Sequence, residues 1–334
     1  MKKLLTFLFL AATFFAASAK GTFSQRRESG KPACGLSTRA KDVVPAASSF
    51  STRTYNLRDF NAIDVGNVVK VVYSQGTAYS VKLTGRADLL SEMEVKVKDG
   101  ALKVSAKRTK RLSKLKKKDM PDGTHHFILH LTAPRLERIF LSGVSTFETS
   151  AMTSENLLVR LGGVSKLNVD RIECPEVNLS VSGCSHVRVK TLACSRYDAD
   201  VSGASKVDIQ KVAAEDTRTK LSGASKADLP SFSTKGTSVF SISGASKLNL
   251  TASDGRLLQT DFSGASKGHV SFKGDALRVG CSGASKLEAR LDCQSVRANC
   301  DGASKINLSG TADKVEVERG GVATNIDTSQ LNRF

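Results

Sequence analysis

The sequence lacks several features that would point to a familiar class of protein. It has no Cys-x-x-Cys pair among its seven cysteines, so a zinc site is not expected. It has only five histidines, the residue that most often acts as a general base. After residue 19 no apolar run is long enough to span a bilayer, so the mature chain is expected to be soluble or peripheral.

What the chain does contain is a short motif, Ser-Gly-Ala-Ser-Lys, that recurs at a nearly fixed interval. It reads in full at Ser202–Lys206, Ser222–Lys226, Ser243–Lys247, Ser263–Lys267 and Ser282–Lys286. Degenerate copies lie on both sides, and successive motif glycines are 19 to 21 residues apart. The motif glycines are Gly143, Gly163, Gly183, Gly203, Gly223, Gly244, Gly264, Gly283, Gly302 and Gly321. This short period indicates a solenoid, with one supersecondary unit in each repeat.

Within one repeat, apolar and polar residues alternate. The chain is mostly apolar two residues before the glycine and again four and six residues after it, with a polar residue at position five. This period of two is typical of a half-buried strand and does not fit a helix. A glycine between two such strands can adopt positive φ and let successive coils approach closely. The sequence therefore predicts an all-β fold, a parallel β-solenoid of about ten coils of 19–21 residues with an N-terminal β-rich cap.

Five segments are predicted along the chain. Residues 1–19 combine Lys2 and Lys3 with an apolar run and a small-residue cleavage site, which is typical of a secretory signal peptide. Residues 20–50 are predicted to be a flexible leader. Residues 51–140 are predicted to cap the solenoid and to contain a basic loop at 107–118, because an uncapped end would expose unpaired strand edges. The solenoid is predicted over 141–325, followed by a C-terminal tail at 326–334.

The order of these segments resembles a known family. A signal peptide precedes FNAIDVGNVVKVVYSQGTAYSVKLTG (Phe60–Gly85), EVKVKDGALKVSAK (Glu94–Lys107) and then the Ser-Gly-Ala-Ser-Lys repeats. This pattern is similar to the bacterial GIN domain, the head domain described for auto-transporter adhesins. The resemblance covers residues 55–325 and implies a right-handed β-helix whose function is largely unknown. It brings no catalytic residues, and the long basic loop departs from the family pattern.

Seven lysines occupy one position of the repeat, three residues after the glycine. They are Lys166, Lys206, Lys226, Lys247, Lys267, Lys286 and Lys305. Stacked coils would align them in a column, here called the lysine column, with neighbours about 4.8 Å apart. The column could bind a linear polyanion such as an acidic polysaccharide, or it could be a solvated face that discourages edge pairing. Asp208, Asp228 and Glu288, two residues further on, would partly neutralise it.

The basic loop is a second candidate binding feature. It holds eight positive residues within residues 107–118, including Lys114, Lys116, Lys117 and Lys118. Such a run could attract nucleic acid, an acidic glycan or an anionic membrane surface, or it could be a mobile hairpin tip. The loop has no interleaved aromatic residues, which argues against stacking on single-stranded nucleic acid. Export also argues against nucleic acid as the partner in vivo.

Catalytic and metal-binding arrangements are not predicted. The serines two residues after each glycine are expected to point inward and bond to backbone, and no histidine lies in their column to activate them. Asp208 and Asp228 lie one coil apart, but calcium needs six to eight oxygens and lysines are adjacent. The cysteines are expected to be small buried residues, with Cys34 left as a candidate free or intermolecular thiol.

These observations favour an exported, non-enzymatic surface or periplasmic protein that binds a glycan or another polymeric ligand in the manner of an adhesin. Two alternatives stay open: a polysaccharide-active enzyme on a β-helix, and a structural envelope protein without a dedicated ligand. A convergent acidic cluster in a groove would favour the enzyme, and the sequence shows none. No cofactor is expected, and the oligomeric state is left open.

Overall fold

The structure is a computed structural model that describes residues 49–107, 116–117, 120–321 and 323–332. The predicted signal peptide, the leader up to residue 48, Cys34, and Lys114 and Lys118 of the basic loop lie outside the described residues. Within the described ranges, the helical content is a single 3₁₀ turn at Leu90–Glu92, and no helix is long and apolar enough to cross a membrane.

The described residues form 23 strands of one continuous sheet. The strands are β1 Phe50–Tyr55, β2 Ala62–Val65, β3 Val69–Gln75, β4 Ser80–Arg86, β5 Met93–Lys98, β6 Ala101–Ala106, β7 Phe127–Ala133, β8 Arg138–Leu141, β9 Thr146–Thr153, β10 Asn156–Leu161, β11 Lys166–Glu173, β12 Glu176–Val181, β13 His186–Ala193, β14 Arg196–Val201, β15 Lys206–Ala214, β16 Asp216–Leu221, β17 Lys226–Thr234, β18 Thr237–Ile242, β19 Lys247–Phe262, β20 Lys267–Cys281, β21 Lys286–Cys300, β22 Lys305–Arg319 and β23 Asn325–Asn332.

The strands stack in parallel from one coil to the next. The series β8, β10, β12, β14, β16 and β18 forms one side of the stack, and β9, β11, β13, β15 and β17 form another. From β19 onward each coil is one long strand that contributes to both sides. The pairing is in register, so Lys206 lies opposite Lys226 and Val207 opposite Ala227. The prediction of an all-β solenoid of about ten coils is therefore confirmed.

The core is a single apolar column inside the coils. Alternating Val, Leu, Ile and Phe side chains point inward along every coil, as the period of two predicts. The serines two residues after the motif glycines, from Ser145 to Ser304, are almost completely buried. Ser165 donates to the carbonyl of Gly162, and the hydroxyls of Ser225 and Ser246 lie 3.2 Å apart. These bonds satisfy buried hydroxyls of the serine column, whereas the buried Ser266 Oγ has no hydrogen-bond partner among the described residues.

The motif glycines form the tightest corner of the coil. Nine of them, from Gly143 to Gly302, have φ between 69° and 74°. Gly321 differs, because its φ lies outside the positive range. A Cβ atom added to Gly223 would lie 2.6 Å from the carbonyl oxygen of Gly203, and the other corner glycines meet the preceding coil in the same way. The corner therefore requires glycine for its dihedral angle and for its backbone-to-backbone contact.

The N-terminal region is more solenoid-like than the predicted cap of 51–140. Strand β2 pairs in parallel with β8 on one edge and with β6 on the other. Strand β3 pairs in parallel with β9 on one edge and with β7 on the other. Asn67, with φ 69°, takes the place of a motif glycine between β2 and β3. The antiparallel pairs among the described strands are β1 with β4, β4 with β7 and β5 with β6, and β1, β4 and β5 close the end of the stack. The basic loop joins β6 to β7, at the corner that glycine occupies in later coils.

The C-terminal boundary also differs from the sequence prediction. Residues 325–332 form strand β23, which pairs in parallel with β22, so the predicted tail at 326–334 is wrong over most of its length. Asn325, rather than Thr324, lies opposite Lys305, because the last repeat is one residue longer than the glycine spacing implies. Ile326 is buried and continues the inward apolar series.

Substituting a corner glycine tests the stacking directly. Gly223→Ala should lower the free energy of unfolding by about 1–2 kcal/mol for the left-handed dihedral, and by about 1–3 kcal/mol more for the overlap with Gly203. Gly123→Ala is the matched control, because Gly123 has φ 71° but nothing lies within 4 Å of an added Cβ. Urea unfolding measures both variants, and equal losses would contradict the stacking explanation.

Candidate functional site

The lysine column is a continuous feature of the outer surface. Strand pairing places its seven predicted lysines in one line, interrupted by His186 between Lys166 and Lys206. The line also extends toward the N-terminus, because Thr146 pairs with Lys166 on one side and with Lys70 on the other. Lys70 was not predicted, since the segment that carries it has no motif glycine. The Val-Gly-Asn-Val-Val-Lys segment at 65–70 was the available signal.

A second outward-facing column lies beside the lysines, two residues further along each strand. This neighbouring column consists of Glu148, Asn168, Arg188, Asp208, Asp228, Asn249, His269, Glu288, Asn307 and Asp327. Its carboxylates pair with column lysines. Lys206 reaches Asp208 at 2.7 Å and Asp228 at 3.5 Å, and Lys226 reaches Asp228 at 2.7 Å. The central part of the lysine column is therefore neutralised by its own coils.

The same pairing recurs further along the two columns in both directions. Lys70 reaches Glu148 at 2.8 Å, and Lys286 reaches Glu288 at 2.7 Å. His269 also contacts Glu288, with 3.0 Å between Nδ1 and the carboxylate. The hydrogen bond from Lys286 lowers the pKa of Glu288, and the hydrogen bond to Asp208 raises the pKa of Lys206. Both shifts favour the charged forms, so these pairs persist at neutral pH.

Asp228 shows two opposing effects. Partial burial raises its pKa, but hydrogen bonds from Lys226 and Asn249 outweigh burial and leave the pKa below its ordinary value. The amide of Asn249 donates directly to the Asp228 carboxylate. The Asp228 carboxylate is therefore bonded to partners within the solenoid. This geometry fits Asp208 and Asp228 as surface polar residues better than as two ligands of a calcium ion. Across the described residues, no group of three or more His, Cys, Asp or Glu side chains could hold a metal ion.

Four column lysines differ from the rest. Lys166, Lys247, Lys267 and Lys305 have no carboxylate oxygen within 4 Å among the described residues. Lys247 and Lys267 lie opposite each other on adjacent coils. The neighbouring column places uncharged Asn249 in the first of these coils and His269 in the second. Of the four unpaired lysines, Lys247 and Lys267 are the two that are direct neighbours, so they form one uncompensated cationic position.

A groove runs along the outer surface beside this position. It has a volume of about 740 Å³ and spans the coils from β17 to β23. One side is the neighbouring column, and the other is a third outward-facing column that follows it along each strand, from Pro230 to Gln330. Core residues such as Leu250 and Val270 lie between the two sides. The residues that line the two sides are Asp228, Asn249, His269, Glu288, Asn307, Asp327, Pro230, Thr251, Ser271, Arg290, Ser309 and Gln330. Amide, hydroxyl and charged groups thus repeat along one strip, which we call the outer groove.

A second groove lies on another side of the solenoid, along β10, β12, β14 and β16. It is smaller, about 520 Å³, and includes Arg160, Asn178, Ser180, Asp200 and Arg218. It therefore offers the same residue types in a different place. No member of the lysine column lines it.

Only part of the basic loop can be placed. Lys107, Lys116 and Lys117 are described, and Lys117 lies in an irregular segment next to residues outside the described ranges. The loop ends at β7, and Ile128 of β7 pairs with Lys70. The attachment of the loop therefore lies at the N-terminal end of the lysine column, which the sequence did not predict.

Residues just after the loop form an Asp–His–hydroxyl chain that sequence reasoning missed. Asp122 Oδ2 lies 2.8 Å from His125 Nδ1, and His125 Nε2 lies 2.9 Å from Thr146 Oγ1. This order of groups matches a nucleophilic triad. However, Thr146 is only 6% exposed, so its hydroxyl is covered. The chain of bonds fastens the end of the loop to the first strand after the cap, and the closely spaced Asp122 and His125 were its signal in the sequence.

The described cysteines are free thiols, and most are buried as expected. Cys174 and Cys194 share a column, as do Cys281 and Cys300, without forming disulfides. Burial raises the pKa of both the Cys194 and Cys281 thiols to about 12, which keeps them protonated and unreactive. Cys184 is exposed.

Together, the fold and the site define a class: a β-solenoid that presents a registered charged column and a polar groove on its outer surface. The chain belongs to the family described as "Putative auto-transporter adhesin, head GIN domain", whose profile matches residues 59–252 and 239–332. The family resemblance inferred from the sequence is thereby confirmed. No curated protein matches the chain.

Several solved structures resemble the chain at low identity. A "putative adhesin" from Parabacteroides distasonis is 17% identical, with 84% of this chain and 97% of that chain covered and a TM-score of 0.48. A "putative adhesin" from Bacteroides fragilis is 18% identical, with coverages of 84% and 97% and a TM-score of 0.37. A "Putative lipid binding protein" from Parabacteroides distasonis is 12% identical, with coverages of 83% and 96% and a TM-score of 0.39. These values are too low to support an argument about function.

The buried side chain of His126, just after the basic loop, is expected to make the stability of the fold depend on pH. Desolvation, followed by the charge of neighbouring His125, lowers the pKa of His126, and its Nδ1 atom is buried without a partner among the described residues. An unfolded histidine binds a proton near pH 6.5, so the folded state should lose stability as the pH falls through that value. Asp122, Asp228 and Glu288 have lowered pKa values and stay ionised in this window.

His126→Leu should therefore reduce the loss of stability between pH 7.5 and pH 5.5. The control is His130→Leu, because His130 lies on the adjacent strand β7 but is exposed. Thermal unfolding at several pH values measures both variants. If the His126 variant keeps the wild-type pH dependence, burial of neutral His126 does not contribute to it.

Proposed function

We propose that this protein is an exported, non-enzymatic binding protein of the adhesin type that holds an acidic polymer at the cell surface or in the periplasm. Membership of the adhesin head family supports the adhesin-type role. The predicted signal peptide at residues 1–19 supports export. The sequence's net charge of +18 favours an anionic partner over a cationic one.

The single observation that carries the proposal is the position of Lys247 and Lys267. They lie opposite each other on adjacent coils without a carboxylate partner in the described part of the chain. Parallel pairing holds them about 4.8 Å apart along the solenoid axis. A pair of like charges at that spacing is unfavourable by itself, and a bound carboxylate or sulfate would relieve it.

The whole lysine column does not act as a uniform cationic ribbon in this proposal. Lys206, Lys226 and Lys286 already have carboxylate partners within 2.7 Å, so they have less to gain from a ligand. The basic loop supplies long-range attraction instead, since its charges are clustered but belong to a different part of the stack. The ligand would be attracted by the loop and held in register at Lys247 and Lys267.

The two alternatives make different demands on the surface. An enzyme that cleaves acidic polysaccharide needs a general base or acid in the groove. Of the three carboxylates that line the groove, Asp228 and Glu288 are paired with Lys226 and Lys286, and Asp327 accepts a hydrogen bond from the backbone N–H of Ser329. A structural protein without a ligand needs no unpaired lysines beside a groove. The pattern of paired and unpaired lysines favours binding over both.

Binding of an acidic polymer and its dependence on salt test the proposal. The protein without its predicted signal peptide should bind polygalacturonate at low ionic strength, and the affinity should fall steeply as salt is added. Lys247→Gln/Lys267→Gln should weaken binding by about three- to tenfold, the effect of losing two exposed charge contacts. Calorimetry or biolayer interferometry would measure it.

The control is Lys211→Gln/Lys220→Gln, which removes the same charge from two exposed lysines outside the column. This variant should change binding by less than about twofold. Equal weakening by both double variants would show that only net charge matters. Release of reducing ends or unsaturated products from polygalacturonate would favour the enzyme instead.

A further inference from the structure

We propose that the outer groove is a saccharide subsite: it selects a hydroxylated acidic polysaccharide by hydrogen bonds, next to the charge contact at Lys247 and Lys267. This inference rests on the proposed function, because it assumes that an acidic polymer binds at that position. The inference adds that the ligand is a polysaccharide, whose hydroxyl groups distinguish it from other polyanions.

The first argument is the chemistry of the groove. Its sides carry neutral hydrogen-bonding groups in three coils: Asn249 and Thr251 in β19, Ser271 in β20, and Asn307 and Ser309 in β22. Amides and hydroxyls can each donate and accept, which suits sugar hydroxyls. The coils are spaced about 4.8 Å apart. A linear polymer lying along the axis would therefore meet neutral hydrogen-bonding groups on both sides of the charged residues Glu288 and Arg290 of β21.

The second argument is an unsatisfied polar atom. Asn307 Oδ1 is buried, lines the groove, and has no hydrogen-bond partner among the described residues. Leaving such an atom unpaired is unfavourable, and native structures seldom do so without an explanation. A hydroxyl group bound in the groove would satisfy it once the Asn307 side chain rotates to expose this covered atom. The neighbouring Asn249, in contrast, already donates to Asp228.

The third argument is the distribution of charge along the groove. Lys247 and Lys267 lie in the column that adjoins the groove and have no carboxylate partner among the described residues, and Arg290, two coils after Lys247, lines the groove and is exposed. Two of the three groove carboxylates, Asp228 and Glu288, are already paired with Lys226 and Lys286, and neutral Asn249, Thr251 and Ser271 lie between the cations. A ligand whose acidic groups meet these cations and whose hydroxyls meet the neutral side chains therefore fits the groove. A carboxylated polysaccharide has this character, whereas a polypeptide of acidic residues lacks hydroxyls.

The experiment compares two polymers of similar charge. Polygalacturonate carries carboxylates and hydroxyls, and poly-L-glutamate carries carboxylates alone. Wild-type protein should bind polygalacturonate more tightly at equal carboxylate concentration. The variant Asn307→Leu/Ser271→Val changes no charge, and it should weaken polygalacturonate binding by about tenfold through the loss of two hydrogen bonds. Its binding to poly-L-glutamate should change by less than about twofold, since charge contacts are unaffected.

The second groove provides the matched control. Asn178→Leu/Ser180→Val makes the same substitutions there and should leave both polymers unaffected. Asn307→Leu also removes an unpaired buried atom, so it should not destabilise the fold, and thermal unfolding checks this.

The outcomes separate the two proposals. If wild type binds both polymers equally and the groove variant changes neither, the saccharide subsite is wrong while charge binding at Lys247 and Lys267 stands. If wild type binds neither polymer at low salt, the proposed function and the subsite are both overturned. Equal weakening by the two groove variants would also overturn the subsite, because the effect would not be specific to the outer groove.

Discussion

Backbone contact at the glycine corner is the constraint on which the rest of the structure depends. There, the backbone of each coil packs against the backbone of the preceding one, with no room for a Cβ atom between them. Strand pairing spaces coils at about 4.8 Å wherever the sheet is regular, and the corner keeps that spacing where the chain turns. The register that aligns Val207 with Ala227 also aligns the lysines. The charged column is therefore a consequence of core packing, and its geometry is as fixed as the core.

Register creates an electrostatic problem that the neighbouring column solves in part. Lysines one coil apart repel one another, and carboxylates two residues along the same strand offset that repulsion. The ion pairs join residues of the same or adjacent coils: Asp228 pairs with Lys226 and also lies 3.5 Å from Lys206. Where the neighbouring column changes to Asn249 and His269, the compensation stops. A substitution of neutral for acidic residues at two coils is thus enough to convert a balanced surface into a candidate anion site without any change in fold.

The repeat made the fold predictable, and departures from the repeat made parts of it unpredictable. Ten glycines at nearly equal spacing were sufficient to infer parallel coils, inward serines and a lysine column. Lys70, strand β2 and the place of strand β3 in the stack were missed, because Asn67 stands where later coils have a motif glycine. The pairing of Lys206 with Asp208 was foreseeable from their spacing, but the groove was not, since it depends on the shape of several coils together. Contacts between distant segments, such as His125 with Thr146, leave no periodic signal.

Asn67 also explains why the basic loop lies at the capped end. A Cβ at a motif glycine would meet the coil on its N-terminal side: at Gly163 it meets Gly143, and at Gly143 it meets Asn67. The coil on the N-terminal side of Asn67 is the one formed by β6 and β7, and residues 107–126 separate these two strands in the sequence. This segment carries no Ser-Gly-Ala-Ser-Lys motif, and asparagine accepts the left-handed dihedral at position 67 better than most residues. The long charged insertion therefore belongs to the coil that the capping strands β4 and β5 cover, and it does not separate the stacked motif glycines of the later coils.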